Sequence, residues 1–250
     1  FQDVSDVWAD AGLNDSMAST KGSLTVDGKQ YGVPWGYYQW GVYYRKDLFD
    51  QLGLNVPRDW DEFKWVCAML KKNGITPITI GTKFLWTAGG WFDYLNLRIN
   101  GYQFHMDLTA GKVSYEDPRL DAVFDHWREL IDPGYFLEDH ASFSWQDAQA
   151  PQINGEAAMY LIGNFYVPTF EAAGIGDQMD FFQFPTIYEG VGVAEDAPTD
   201  TMHIPSGAKN VEDAKKFLAF MSNKEAATNW AKMGGMLSPN KYADKPTNRF

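Results

Sequence analysis

Residues 27–52, DGKQYGVPWGYYQWGVYYRKDLFDQL, constrain the fold more than any other stretch. Tyr31, Val33 and Trp35 alternate with polar or small residues, the two-residue period of a half-buried strand. Pro34 interrupts that ladder. A proline cannot donate to a central sheet, so the chain is expected to leave its first sheet there and cross open space before resuming structure. The crossing is aromatic, with Trp35, Tyr37, Tyr38, Trp40, Tyr43 and Tyr44, and Gly32, Gly36 and Gly41 keep its backbone permissive. Residues 47–52 predict a short amphipathic helix stopped by Gly53. The stretch reads as a passage from one lobe to another whose walls carry stacking surfaces.

Charge narrows the partners. The 250 residues include 33 acids against 21 Lys and Arg, a net charge of -12, a field that repels phosphate backbones and anionic lipid. Nucleic acid and membrane surfaces are therefore poor partners, and no apolar run approaches bilayer length. With 45% hydrophobic residues the chain can bury a large core in one or two lobes. The single cysteine, Cys67, leaves no intrachain disulfide and falls on an apolar helical stripe, where a thiol is a small hydrophobe.

Along the chain, an amphipathic turn over residues 4–13 precedes a polar loop over 14–21. Residues 24–26 and 30–33 predict a hairpin around Asp27-Gly28. Asp59 and Glu62 form a capping box, and the helix it starts places Phe63, Val66, Cys67 and Leu70 on one face before Asn73-Gly74. Residues 75–80 predict an edge strand. GTKFLWTAGGW, residues 81–91, then predicts a ligand loop at its carboxyl end, followed by a helix over 91–99. Asp117-Pro118 opens a helix with an apolar stripe of Leu120, Val123, Phe124, Trp127 and Ile131. A strand is expected over 157–162 with a turn at Gly163-Asn164-Phe165, and a short strand over 202–205. Asn210 with Asp213 and Ser222 with Glu225 predict two further helix starts. Trp65, Trp127 and Trp230, on helical stripes, are expected in the core.

Enzymatic signatures are thin. No G-x-S-x-G elbow, H-E-x-x-H pair, phosphate-loop glycine pattern or C-x-x-C pair occurs. His105, His126, His140 and His203 lack metal-ligand spacing, so neither a metal nor a cofactor is expected. A glycosidase-like carboxylate pair stays open, because its separation is a three-dimensional quantity.

Aromatics remain in excess. Trp35, Tyr37, Tyr38, Trp40, Trp86, Trp91 and Phe165 stand at proline- or glycine-flanked positions where a core stripe has no reason to run, and they are the candidate ligand contacts. One face of a pyranose is a patch of C–H groups that a ring can cover, while its hydroxyl rim needs polar partners. Asn164, Gln39 and Asp93 are candidates for the rim. No Lys or Arg cluster accompanies them, and Arg45 and Lys83 stand alone, so a neutral sugar fits better than a phosphate or acidic sugar.

Several of these segments carry a family resemblance. GKQYGVPW (28–35), VYYRKDLFDQLGL (42–54) and PRDWDEF (57–63) resemble the middle signature of extracellular solute-binding proteins of sugar-type ABC importers, the maltose-binding-like group. INGEAAMYLIGNF (153–165) and GGMLSPN (234–240) resemble its later boxes in the expected order. Arg45 stands where Asn is common, and Phe165 replaces the usual tryptophan, keeping a stacking face but losing the indole donor.

The resemblance implies an α/β, two-lobed periplasmic-binding-protein-like (type II) fold, with this chain an internal fragment in which one lobe is incomplete. Residues 1–36 would be part of the first lobe and the first crossing, 37–183 the second lobe, 184–233 the return to the first, and 234–250 the start of a C-terminal segment. Residues 34–38 and 184–186 would act as hinges. The implied function is non-enzymatic: capture of a neutral sugar or oligosaccharide between two lobes and delivery to the permease subunits of an ABC importer, by a monomer in the periplasm or outside the cell. By position, Tyr38 matches the family's crossing residue that touches ligand and Phe165 its stacking residue. Trp86 matches less closely. The alternative is a carbohydrate-active enzyme with an aromatic cleft and a carboxylate pair.

Overall fold

A computed structural model describes residues 1–245 and 250. The chain divides into two compact units: Phe1–Gln39 with Asn164–Pro168 and Ala197–Phe250, and Trp40–Gly163 with Thr169–Asp196. In chain order the elements begin with helices α1 (Ser5–Asp10) and α2 (Leu13–Ser16) and strands β1 (Thr25–Val26), β2 (Lys29–Gln30), β3 (Val33–Tyr37) and β4 (Trp40–Arg45). Helices α3 (Lys46–Leu52) and α4 (Trp60–Lys72) lead to β5 (Thr76–Ile78). Helices α5 (Trp86–Ile99), α6 (Gly101–Thr109), α7 (Asp121–Ile131) and α8 (Gln149–Ile153) precede β6 (Ala157–Gly163). Helix α9 (Val167–Ala172), strands β7 (Met179–Phe182) and β8 (Thr199–Met202), and helices α10 (Val211–Met221) and α11 (Lys224–Gly234) follow.

In the first unit, β1 and β2 form the expected hairpin. Its two turn residues, Asp27 (φ 50°) and Gly28 (φ 78°), both take the left-handed conformation a two-residue hairpin loop requires. Val4, Val7, Trp8, Leu13, Met17, Leu24, Val33, Ile204 and Leu218 make the core. The buried Trp8 indole N–H donates to Gly32 O (2.9 Å), so the ring enters the core without an orphaned donor.

Pro34 does not end its strand. β3 runs through it and pairs antiparallel with β8, matching Pro34 to Thr201 and Gly36 to Asp200 while Trp35 is left without a partner residue. The proline is tolerated because it stands beside a bulge, where the ladder is already interrupted. Three smaller differences accompany this one. Residues expected as loop include most of α2, and the strand expected over 202–205 lies instead at Thr199–Met202, sharing only Met202 with the expectation. The cap of α11 is Asn223, whose side chain accepts from Ala226 N (2.8 Å), while Ser222 is buried and its hydroxyl donates to Leu218 O.

The second unit is built on a four-stranded sheet ordered β5-β6-β4-β7, with β4 antiparallel to both neighbours and β5 parallel to β6. β6 and β4 are buried along their whole length, whereas β5 with Pro77 lies at an edge, where a missing donor costs least. α4 starts as expected, with Glu62 N donating to Asp59 Oδ1 (2.8 Å), and buries Phe63, Val66, Cys67 and Leu70. The Glu62 carboxylate, however, accepts from Arg58 N. Trp65 is exposed on this helix, since its position points away from the Phe63–Val66–Leu70 stripe. On α7 only Val123 and Leu130 are buried, after Leu120, and Phe124 and Ile131 face outward.

Arg45 is not isolated. It is buried, pairs with Asp47, donates to the Gln152 and Ile153 carbonyls at the end of α8, and reaches Gln178. The return expected at residues 184–186 also differs, because that segment belongs to the second unit. Thr186 exchanges backbone bonds with Arg58 and Trp60, and Phe184 is buried among the rings of Trp60, Phe63, Trp91 and Tyr94. After the short passage Asn164–Pro168, the chain re-enters the first unit only beyond Asp196.

Candidate functional site

Each unit gathers its own set of candidate residues. In the first, the β3 bulge sets the half-buried Trp35 ring 4.2 Å from that of Trp230, which is therefore partnered by an aromatic and not enclosed in the aliphatic core. Tyr37, next along the strand, is half-buried and exchanges two backbone hydrogen bonds with Leu237. The Tyr38 ring stands edge-on to Phe165 at 5.0 Å, and its hydroxyl donates to Asp200 Oδ1 (3.4 Å). Burial raises the Asp200 carboxyl above its ordinary range, and the Tyr38 hydroxyl pulls it back. Asn164 is buried, its N–H bound to Gln39 O (3.0 Å), while its side-chain Oδ1 has no hydrogen-bond partner among the described residues. Gln39 itself is exposed.

In the second unit, Trp40 lies across α5 at Gly90, where an added Cβ would come within 2.5 Å of the ring. Trp86, exposed at the start of α5, stands edge-on to Trp40 (5.8 Å) and approaches Trp145 (6.0 Å). Trp91 departs from expectation. It is buried in the core against Phe63, Phe136 and Phe184, because α5 begins five residues earlier than predicted and a five-residue step turns a helix by about 140° from Trp86.

Trp145 carried no signal in the sequence, and long-range bonding places it. Thr82 N and Lys83 N donate to the His140 and Phe143 carbonyls, and the Thr79 hydroxyl donates to Ala148 O. Gly81 permits this approach, since a Cβ there would overlap Ser144 O. The Lys83 ammonium lies over Phe84.

Polar groups border this aromatic wall. Asp93 on α5 and Asp196 at the end of the unit are each pushed up to about 6, both chiefly by burial and Asp196 also by the charge of Asp93. Trp40 N donates to Asp196 O (3.1 Å), and Asp196 N to the Tyr94 hydroxyl oxygen (3.4 Å), which also lies 3.0 Å from Glu195 Oε2. Arg98, buried, pairs with Glu195 and donates to the Phe184 and Ala194 carbonyls, fixing the segment. Burial lowers the His105 imidazole, opposed by Asp196. Cys67 is buried and its thiol is pushed up by desolvation, away from nucleophilic use. No group of three potential metal ligands occurs among the described residues.

These features fall within one family. Residues 1–228 match bacterial extracellular solute-binding protein, and the chain belongs to that family. An uncharacterized ABC transporter extracellular-binding protein of Pyrococcus horikoshii is 28% identical over 243 residues, covering 96% of this chain and 54% of that protein. The multiple sugar-binding protein of Streptococcus mutans is 26% identical over 215 residues, covering 84% and 51%. The solved structure of the bacterial solute receptor AcbH, described as having an exclusive preference for β-D-galactopyranose, matches with a TM-score of 0.88 and 34% identity over 99% of this chain and 64% of that one. The chain thus spans about half the length of the curated relatives it matches. Its α/β fold is that of the periplasmic solute-binding proteins, and the family and these neighbours are binding proteins, not enzymes. No helix among the described residues is long and apolar enough to cross a membrane.

Proposed function

We propose that the protein captures a neutral sugar or oligosaccharide and delivers it to the permease of an ABC importer. The observation that carries this reading is the pairing, within each unit, of aromatic rings at strand and helix ends with oxygen acceptors: Tyr38 and Phe165 beside the half-buried Asp200 and the buried Asn164, and the exposed Trp86, backed by the buried Trp40, beside the half-buried Asp93 and Asp196. Rings cover the C–H face of a pyranose, and carboxylate and amide oxygens accept from its hydroxyls. Trp35 and Tyr37 extend the first set, while Trp91 is left out because no face of it reaches the surface.

Electrostatics favour a neutral ligand. The buried cations of the second unit are committed, Arg45 to Asp47 and helix-end carbonyls and Arg98 to Glu195, so an anionic sugar would meet carboxylates without a free guanidinium. The sugar-binding relatives support the same class of ligand. Action as a monomer, in the periplasm of a cell that has one, completes the reading.

The test is a thermal-shift screen of the intact protein against D-galactose, maltose, raffinose, N,N′-diacetylchitobiose and a set of sugar phosphates. A ligand that binds only the native state raises its melting temperature. At least one neutral sugar is expected to do so, and stabilisation by sugar phosphates alone would overturn the proposal.

A further inference from the structure

We infer that Asp93 and Asp196 are specificity-determining hydroxyl acceptors of the second unit's sugar surface, and that they make sugar affinity fall on mild acidification. The inference rests on the sugar-binding reading above and adds the polar half of the site and its response to pH.

Helix register gives the geometry. Positions 86, 90 and 93 of α5 fall within about 60° of one another around the axis, so Trp86, Gly90 and Asp93 share one face. The Trp40 ring occupies the Gly90 position, between Trp86 and Asp93 along that face. Asp196 is tied to the backbone of the same tryptophan through Trp40 N, and to Tyr94 through its own N–H. The Asp196 carboxylate is close enough to Asp93 to feel its charge, so the two carboxylates border one aromatic wall.

Their surroundings give no structural reason for the charges. Neither carboxylate has a salt bridge or a side-chain hydrogen bond among the described residues, and burial raises both. The titratable neighbours are His105 from α6, Glu195 from the adjoining segment, and Tyr94 and Arg98 from α5. Arg98 is spent on Glu195, which also meets the Tyr94 hydroxyl, so Glu195 is the structural carboxylate of the group. Desolvating an unpaired carboxylate is unfavourable unless something binds it, and ionised it accepts several O–H donors in the manner sugar hydroxyls supply. An anion would meet repulsion there, which matches a neutral ligand. With both groups titrating at about 6, acidification from pH 7.5 to 5 protonates them and removes acceptors.

The experiment is calorimetry on the intact protein with D-galactose, maltose, raffinose and N,N′-diacetylchitobiose at pH 7.5 and 5.0, alongside melting curves without sugar. For the sugar that binds, D93N and D196N are each expected to weaken affinity about tenfold or more at pH 7.5, in line with the loss of a charged hydrogen bond. Without sugar both should melt at or above the wild-type temperature, because an isosteric amide removes an unpaired buried charge. E195Q, by contrast, should lower it. Wild-type affinity should drop at pH 5.0, and the doubly substituted protein should lose that dependence. Wild-type affinity in both single variants, or a melting loss in both as large as that of E195Q, would overturn the inference and leave the sugar reading standing. A wild type that binds none of the four sugars would overturn the sugar reading itself, and this assignment with it.

Discussion

Gly89 and Gly90, adjacent in the interior of α5, allow the aromatic wall to be tested with a matched pair of substitutions. Each glycine replaced by alanine should gain the same helix propensity, about 0.5–1 kcal/mol. Their surroundings differ. An added Cβ at Gly89 meets nothing within 4 Å, whereas at Gly90 it would lie 2.5 Å from Trp40 Cζ3 and 2.8 Å from Cη2. Those distances are more than half an ångström inside ordinary contact, and the ring is held by Trp86 on one side and by its own place in β4. Overpacking of this size costs about 1–3 kcal/mol. Gly89→Ala should therefore stabilise the second unit by up to about 1 kcal/mol, and Gly90→Ala should leave it unchanged or destabilise it by up to about 2 kcal/mol after the propensity gain. Urea unfolding followed by tryptophan fluorescence measures both, with the transition of the second unit fitted separately if two appear. Gly90→Ala should also weaken sugar binding, since the displaced ring belongs to the proposed wall. If Gly90→Ala proves as stable as Gly89→Ala and binds equally well, the packing of Trp40 on α5 is refuted.

Three further outcomes are expected. Tyr38→Ala and Phe165→Ala should each weaken sugar binding by about 1–4 kcal/mol with the fold intact, as loss of an aromatic anchor does; unchanged affinity by calorimetry in both would return these rings to a structural role. Arg45→Asn should lower stability by about 1–3 kcal/mol in chemical denaturation, because the Gln152 and Ile153 carbonyls and Asp47 lose their shared donor. An unaltered denaturation midpoint would contradict that. Asp93 and Asp196 hold their protons more tightly in the native state than when unfolded, so stability without sugar should be lost as pH rises from about 4 through 6 and level off above. D93N/D196N should flatten that slope in a series of melting curves, and a slope unaffected by the double substitution would assign it to other groups.

What the sequence determined by itself is local. The Asp27-Gly28 hairpin, the Asp59 cap and the Phe63–Val66–Leu70 stripe depend on residues within about four positions of one another, where backbone preference and helix period act directly. The order of family boxes added the fold, because many segments in sequence restrict it more than any one does. Which aromatic faces outward was a tertiary matter. Trp86 and Trp91 are alike in composition and setting, yet the left-handed Leu85 starts α5 at Trp86, and the resulting rotation exposes one indole and buries the other. Pro34 reads as a strand end, but a bulge and the distant partner β8 carry the strand past it. Trp145 and Asp196 gained their places from bonds spanning long stretches of chain, to the loop around Thr82 and to Trp40 N. No periodicity encodes such bonds, because loop closure over that distance is decided by the packing of the whole unit and not by the conformational preference of any residue in it.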